Sequence, residues 1–184
     1  MDKFIITGLP RSRTGWLANL FTYGPSFCVH DGVMLGHPTF CSLMEIASRN
    51  PEIRHVGNSD SGIALTRNPS DYDQCKVIIV ERPLEDAYRS FMAYFTSNPY
   101  RDQWKIDPEK TRLVFQTALA GLQEFKKLPT VMTVQFSELE DEHKVSDLWS
   151  FIVPEQSFNR DRWAVLDKLR VNPASEKVSV KWVS

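Results

Sequence analysis

The feature of this chain that most constrains its fold is an apolar run, Phe4 to Thr7, followed directly by a loop with glycine and proline and by a helical pattern that begins near Thr14. A buried strand that leads through such a turn into a helix aims backbone N–H groups and the positive end of the helix dipole at one point. Basic and hydroxyl side chains fill the turn, namely Arg11, Ser12, Arg13 and Thr14. The segment therefore predicts an anion-binding loop, and a nucleotide phosphate is the expected ligand.

The loop does not fit the fingerprint of the nucleoside triphosphatases, G-x-x-x-x-G-K-[ST]. Counted from Gly8, that fingerprint needs glycine, lysine and a hydroxyl residue where this chain has Arg13, Thr14 and Gly15. The lysine normally reaches the terminal phosphates, and the hydroxyl normally holds magnesium. ATP hydrolysis is therefore not the favoured interpretation.

The string G-L-P-R-S-R-T-G-W-L instead resembles the loop that grips the 5′-phosphosulfate end of 3′-phosphoadenosine 5′-phosphosulfate (PAPS) in the PAPS-dependent sulfotransferases, which typically reads G-x-P-[KR]-S-G-T-[ST]-W-L. The chain departs from the pattern at Arg13, where the family has glycine, and at Gly15, where it commonly has a second hydroxyl. The side chain at position 13 either crowds the turn or adds a phosphate ligand. The resemblance implies that this end of PAPS is bound by Pro10, Arg11, Ser12, Arg13, Thr14, Gly15 and Trp16.

A second motif follows the apolar run from Val77 to Val80. The sulfotransferases carry R-x-x-x-D-x-x-x-S at this point, and Arg82, Asp86 and Ser90 match all three defined positions. The resemblance implies that Arg82 and Ser90 hold the 3′-phosphate of PAPS, because a guanidinium presents a rigid fork of donors to phosphate and a hydroxyl two turns along the helix completes the grip. Taken alone, an arginine at the acidic start of a helix is more typical of a surface ion pair.

Two alternatives remain open on the sequence. Glu81 ends the same apolar run, and many P-loop enzymes hold magnesium with an acidic residue at this place, so a nucleotide-dependent kinase is the first alternative. The second is a nucleotide-binding module in which Arg13 has disabled catalysis. The sulfotransferase resemblance implies no metal, and His37 and His143 have no partner at the spacing of a zinc site.

Sulfuryl transfer needs in-line positioning, cations and one base, and the candidate base lies in the pair His30-Asp31. In several sulfotransferase branches a carboxylate or histidine lies at the end of the second strand, which favours Asp31 and then His30 as base, with Arg11 neutralising the transferred group. Asp31 equally suits a capping role in the turn at Gly32. His55, Asp60 and Ser61 fall where the family places acceptor-side residues, although residues 58–62 also read as an ordinary turn.

Apolar runs and helical patterns alternate along the chain and predict an α/β fold, a P-loop NTPase-like parallel sheet with helices on both faces, as one domain over residues 1–184. Asp107-Pro108 predicts a helix start. The irregular segments 32–40 and 98–107 could close over a substrate. The family's C-terminal element over the nucleotide has no clear copy, although Lys177, Lys181 and Trp182 could form a looser version. The predicted strands are 4–7, 27–30, 77–80 and 130–136, and the predicted helices are 14–22, 85–96, 111–127 and 145–152.

The composition sets the remaining expectations. A net charge of −1 over 184 residues gives no global field for nucleic acid, and no apolar stretch has membrane-spanning length. Cys28, Cys41 and Cys75 are odd in number and lack a C-x-x-C spacing, which favours a reducing cytoplasm. The expected partners are a nucleotide co-substrate and an acceptor whose identity the sequence does not give, and the oligomeric state is equally undetermined.

Overall fold

The computed structural model describes residues 1–32, 40–97 and 106–168 of the chain. The strands are β1 (Asp2–Gly8), β2 (Ser26–His30), β3 (His55–Ser59), β4 (Lys76–Glu81) and β5 (Val131–Gln135). The helices are α1 (Thr14–Phe21), α2 (Phe40–Ala47), α3 (Ile63–Thr66), α4 (Leu84–Thr96), α5 (Pro108–Phe125), α6 (Glu142–Ile152) and α7 (Arg160–Lys168). Two short 3-10 helices lie at Pro69–Tyr72 and Phe136–Glu140.

The five strands form one parallel sheet in the order β2-β3-β1-β4-β5. In the register of the sheet, Phe4 of β1 is paired with Gly57 of β3 on one side and with Lys76 of β4 on the other. Because all strands run the same way, their carboxyl ends meet at one edge. The loop after β1 and the turns after β2, β3 and β4 therefore share this edge, where ligands of open α/β sheets collect.

Helices cover both faces of the sheet, as the sequence predicts. Alternate residues of β1 and β4 enter two separate apolar cores, because successive side chains of a strand point to opposite faces. Phe4 and Ile6 pack with residues of α1 and α6, including Leu17 and Trp149. Ile5 packs on the other face with residues of α3 and α5.

The strand β3 was not predicted, and the interpretation of residues 58–62 as an ordinary turn is wrong at Asn58 and Ser59, which belong to it. All five β3 residues are buried. A Cβ atom on Gly57 would lie 2.2 Å from a ring carbon of Phe4, so only glycine fits beside that ring. The sequence of β3, H-V-G-N-S, is mostly polar residues and glycine, which are depleted in strands, so the apolar pattern did not indicate a strand there. The helices α2, α3 and α7 were not predicted either.

The Asp107 side chain accepts hydrogen bonds from the backbone N–H groups of Glu109 and Lys110, which confirms the predicted helix start. Residues 33–39 and 98–105 of the two irregular segments lie outside the described residues, as do Lys177, Lys181 and Trp182. Among the helices of the described ranges, none is long and apolar enough to cross a bilayer.

Candidate functional site

The loop between β1 and α1 presents free backbone donors at the carboxyl edge of the sheet. The N–H of Leu17 donates to the carbonyl of Arg13 at 3.0 Å, so the preceding amides of the first helical turn have no partner within the helix. Arg11 and Arg13 adopt left-handed conformations, with φ of 71° and 60°, and these fold the loop over the helix start. The arrangement is the one that suits an anion.

Two residues of this loop are fixed by close packing. A Cβ atom on Gly8 would lie 2.7 Å from the carbonyl oxygen of Val80, so the last residue of β1 has to be glycine. Ser12 is fully buried, and its hydroxyl has no hydrogen-bond partner within the described part of the chain. Buried hydroxyls are normally hydrogen-bonded, so this orphaned group fits a ligand oxygen.

Three arginine side chains from two different segments converge beside the loop. The guanidinium of Arg82, directly after β4, donates to the carbonyl of Arg11. It lies over the ring of Phe136, 4.2 Å from the centroid, and the guanidinium of Arg13 lies 4.9 Å from the same centroid. Arg11 covers the ring of Tyr94 at 4.4 Å. The aromatic rings thus hold three like charges in one region through cation–π contacts.

The environment of Arg82 is costly for a cation. Burial lowers the pKa of Arg82, Asp86 raises it, and the like charges of Arg11 and Arg13 lower it further. A partly desolvated guanidinium that faces two other guanidinium groups is stabilised when an anion enters. The electrostatics of the region therefore favour a negatively charged ligand.

A cavity of about 610 Å³ lies on the far side of Arg82, between α4 and the segment that follows β5. Its volume falls within the range of small-molecule sites. Arg82 and Ser90, the two residues expected at the 3′-phosphate, line it together. Its lining comprises Glu81, Arg82, Pro83, Asp86, Arg89, Ser90, Ala93, Gln135, Phe136 and Ser137.

His30 lies on the opposite side of the loop, at the end of β2. Its Nε2 is 3.4 Å from the hydroxyl of Thr14 and 3.3 Å from a carboxylate oxygen of Asp31. A Cβ atom on Gly15 would lie 3.1 Å from the imidazole, so a larger residue at position 15 would crowd the ring. The departure from the family pattern at Gly15 thus makes room for His30 against the start of α1.

Asp31 is held in a left-handed conformation, with φ of 52°, by contacts from β3. Its N–H donates to the carbonyl of Ser59 at 3.0 Å, and the N–H of Gly32 donates to the side-chain oxygen of Asn58 at 3.1 Å. Burial raises the pKa of Asp31, the neighbouring His30 lowers it, and Asp60 raises it. A carboxylate whose pKa is raised is better suited to accept a proton near neutral pH.

Two other candidate residues, Glu81 and Trp16, are already engaged by contacts within the protein. The Glu81 carboxylate accepts from Lys126 and from Gln135, one on each oxygen, which leaves it a poor candidate for magnesium. The Trp16 indole donates to the carbonyl of Leu166 at 3.0 Å and packs against the core. Within the described ranges, no three acidic, histidine or cysteine residues are grouped to hold a metal ion.

His55 is not an acceptor-side residue, because it begins β3 at the amino edge of the sheet, opposite the loop. There it is buried, with Nε2 2.7 Å from Glu155 and Nδ1 3.5 Å from Asp2. Asp60 does lie at the carboxyl edge, directly after β3, with a carboxylate oxygen that accepts from the N–H of Gly62 at 2.6 Å. The acceptor-side expectation is therefore wrong for His55 and stays a prediction for Asp60 and Ser61.

Sequence reasoning missed the two aromatic residues that hold the arginines. Phe136 was included in the predicted strand 130–136 but begins the 3-10 helix that follows β5, and Tyr94 lies in the predicted helix 85–96, where its ring was given no role at the site. Both contacts join segments far apart in the chain. The aromatic residue in the string Q-F-S-E-L, directly after the predicted strand, is the signal that could have indicated a residue at the site edge.

Solved structures of known proteins share this architecture. The chain aligns with the sulfotransferase from Alicyclobacillus acidocaldarius at a TM-score of 0.57 and 14% identity, covering 92% of this chain and 91% of that one. It aligns with mouse sulfotransferase SULT7A1 complexed with PAP at a TM-score of 0.55 and 17% identity, covering 91% of this chain. The fold is that of the sulfotransferases. This sulfotransferase-like chain spans only 64% of the length of the mouse protein.

A third structural neighbour of the sulfotransferase-like chain is the sulfotransferase domain from the curacin biosynthetic pathway, with a TM-score of 0.54, 11% identity and coverage of 88% of this chain and 77% of that one. No model of a known protein family and no curated protein sequence matches the chain. The likeness is therefore one of fold, carried at low sequence identity by the order of strands and helices.

Proposed function

We propose that this protein is a sulfotransferase that binds PAPS and transfers its sulfuryl group to a hydroxyl or amine acceptor by in-line displacement. The observation that carries the proposal is the contact between the two anion-binding segments. Arg82, the residue expected at the 3′-phosphate, donates a hydrogen bond to the carbonyl of Arg11 in the loop expected at the 5′-phosphosulfate. The expected sites for the 3′-phosphate and for the 5′-phosphosulfate are therefore adjacent, which binding of both ends of one nucleotide requires.

The loop residues would bind the 5′ end of the nucleotide. The amides at the start of α1 and the orphaned Ser12 hydroxyl are free to donate hydrogen bonds to its oxygens. Arg11 and Arg13 would neutralise negative charge, and Thr14 adds a second hydroxyl beside them. Donors that are fixed before the reaction stabilise developing charge without having to reorganise, which is the largest contribution in reactions of this kind.

Arg82 and Ser90 would bind the 3′-phosphate in the cavity of about 610 Å³ that both line. Arg82 presents its fork of N–H groups while Phe136 packs against the guanidinium, and Ser90 presents its hydroxyl from α4. Binding of this nucleotide would give the buried Ser12 hydroxyl a hydrogen-bond partner. It would also reduce the repulsion between Arg82 and the neighbouring Arg11 and Arg13.

Asp31 would serve as the base that takes the acceptor proton, with His30 as the neighbour that shares the proton. Burial favours the protonated form of Asp31, and the imidazole contacts both Asp31 and Thr14 of the loop. The base would thus lie beside the anion-binding loop, with only the His30 side chain between it and Thr14 at the start of α1. This closeness supports acid–base chemistry at the transferred group.

Titration calorimetry tests the proposal with adenosine 3′,5′-bisphosphate and ATP, each with and without magnesium. Tight, metal-independent binding of the bisphosphate is expected, because the cations of the site come from arginine side chains. A preference for ATP with magnesium would instead favour a kinase, a reading that the engagement of Glu81 by Lys126 and Gln135 disfavours. Binding without any sulfated acceptor would favour a nucleotide-binding module.

Two variants separate the roles of the grips. Arg82→Ala should weaken binding of the bisphosphate far more than that of adenosine 5′-phosphate, because only the bisphosphate carries the group that Arg82 would hold. Arg11→Ala should weaken both nucleotides. Equal losses for both nucleotides from Arg82→Ala would reject the assignment of Arg82 to the 3′-phosphate.

A further inference from the structure

The cavity beside Arg82 contains a second arginine that the sulfotransferase resemblance does not assign. Arg89 lies on α4 directly before Ser90 and lines the same cavity as Arg82 and Ser90. Its side chain is 78% exposed, contacts Asp86 at 3.4 Å and lies near the carboxylate of Glu85. The distance to Asp86 is the upper limit of a hydrogen bond between exposed groups, and such a pair contributes little stability, so Arg89 can leave it at small cost.

The charges of the cavity lining show why Arg89 matters. The lining has two acidic residues, Glu81 and Asp86, and two basic residues, Arg82 and Arg89. A phosphate monoester carries roughly −1.5 to −2 charges at neutral pH. Without Arg89 the lining itself would be net negative, and the approach of such a group would be opposed. The Arg82 guanidinium already donates a hydrogen bond to the carbonyl of Arg11 and packs on the ring of Phe136, so only some of its N–H groups remain for a phosphate.

We propose that Arg89 is a further nucleotide-binding residue, which exchanges Asp86 for the 3′-phosphate when the nucleotide enters the cavity. The inference rests on the proposed function and adds to it a residue that sets selectivity for a nucleotide with a 3′-phosphate. Arg82 supplies the fixed, half-buried cation at the base of the cavity, and Arg89 supplies the adjustable one at its rim. Guanidinium groups suit this exchange because they bind phosphate and carboxylate with the same fork of donors.

The test compares three variants by calorimetry with adenosine 3′,5′-bisphosphate and adenosine 5′-phosphate. Arg89→Ala should weaken the bisphosphate about tenfold, the effect of one charge-assisted hydrogen bond, and should change the affinity for the monophosphate less than about twofold. Arg89→Lys should recover part of the loss because it keeps the charge. Alanine is a good helix former, so the thermal midpoint of Arg89→Ala should stay near that of the wild type.

Lys127→Ala is the matched control. Lys127 lies in the turn directly after α5, is 70% exposed and pairs with Glu124 three residues earlier, the same spacing as between Arg89 and Asp86. It lies outside the cavity lining. The control removes the same charge from the whole protein and should leave the affinity for both nucleotides unchanged. A tenfold loss in this variant as well would show a general electrostatic effect and overturn the role of Arg89.

The outcomes separate the inference from the function on which it rests. If the wild type prefers the bisphosphate and Arg82→Ala abolishes that preference while Arg89→Ala leaves it intact, the role of Arg89 is rejected and the proposed function stands. If the wild type binds the two nucleotides equally, both the proposed function and the role of Arg89 are rejected. Selective loss of bisphosphate affinity in Arg89→Ala supports both.

Discussion

Arg13 shows how this loop accommodates a side chain where related loops have glycine. Its backbone keeps a left-handed conformation, with φ of 60°, that glycine adopts readily and other residues adopt at a cost. Its side chain is directed away from the turn, with the guanidinium over the ring of Phe136 and 3.2 Å from a carboxylate oxygen of Glu140. The arginine therefore fits the loop without crowding it and adds positive charge beside Arg82.

The variants Arg13→Gly and Arg13→Ala should differ in stability. Both remove the contacts with Phe136 and Glu140, so the comparison isolates the backbone. Arg13→Gly should have a free energy of unfolding about 1 kcal/mol above that of Arg13→Ala, because only glycine adopts positive φ without strain. Urea denaturation with equal m-values measures the difference. Equal stability of the two variants would show that the left-handed conformation at position 13 is not present in solution.

Asp31 gives a prediction of pH dependence. Its pKa is raised in the folded protein, chiefly by burial, so the folded state disfavours the charged form. The sign follows: stability from Asp31 is lost as the pH rises through the raised pKa, and ionised Asp31 destabilises the protein at pH 7. Asp31→Asn, which tolerates the left-handed backbone, should raise the free energy of unfolding at pH 7.

That gain should fall as the pH drops below the raised pKa and disappear by about pH 3, where aspartate is protonated in both the folded and unfolded states. Chemical denaturation of the wild type and Asp31→Asn across this range measures it, and the difference between the two proteins cancels the titration of other carboxylates. A gain that persists at low pH would mean that a contact of the new amide, and not the removal of the charge, stabilises the variant. Sulfuryl transfer by Asp31→Asn should be lost at every pH if Asp31 is the base.

The strand β3 is closely packed along its whole length. It lies between β2 and β1, is buried along its whole length, and carries Gly57 beneath the ring of Phe4. It also ends at Ser59, whose hydroxyl donates to the carbonyl of Thr14 at 2.8 Å and so ties the strand to the start of α1. The fit of β3 against β1 therefore affects the position of the loop.

Gly57→Ala should destabilise the protein by about 3 kcal/mol or more, because the new methyl group would overlap the Phe4 ring in a closely packed core. The second variant, Gly57→Ala with Phe4→Leu, should lose less than the sum of the two single changes, since the smaller side chain leaves space for the methyl group. Denaturant unfolding of the wild type, Gly57→Ala, Phe4→Leu and the double variant gives the interaction energy between the two positions. Additive losses would contradict a direct clash between these residues.

The elements that the sequence predicted correctly are those with strong local patterns. Both β1 and β4 are apolar runs, and α5 has a capping Asp107 with Pro108 after it, so local chemistry is sufficient. The loop and the spacing from Arg82 to Ser90 are local as well. The strand β3 depends on Phe4, about fifty residues away, and the positions of the arginines depend on Phe136 and Tyr94. Such contacts form only when the sheet assembles, so no local pattern predicts them.

Charge is distributed unevenly over the molecule, although its net charge is only −1. Three arginines gather at the carboxyl edge of the sheet, and they repel each other when no anion lies between them. The fold holds this cluster because burial of apolar residues on both faces of the sheet supplies the stability that the cluster lowers. A ligand that neutralises the arginines should therefore stabilise the whole protein.

Adenosine 3′,5′-bisphosphate should raise the thermal midpoint without magnesium. At a concentration one hundred times the dissociation constant, binding adds about 2.7 kcal/mol to the free energy of unfolding. For a protein of this size, that corresponds to a rise of roughly 5 to 10 °C. Scanning calorimetry at increasing ligand concentration measures the shift, and added 1 M salt should reduce it because salt screens the arginines. A shift that needs magnesium would contradict binding through arginines alone.

The position of the first strand has a practical consequence for experiments on this protein. Asp2 begins β1 at the amino edge of the sheet, beside His55, whereas Gly8 ends the strand at the loop. The strand from Asp2 to Gly8 has seven residues, so its two ends lie about 20 Å apart. A tether attached ahead of Asp2 would thus hold the protein at the edge of the sheet opposite the loop and leave the cavity beside Arg82 directed toward the bulk solution.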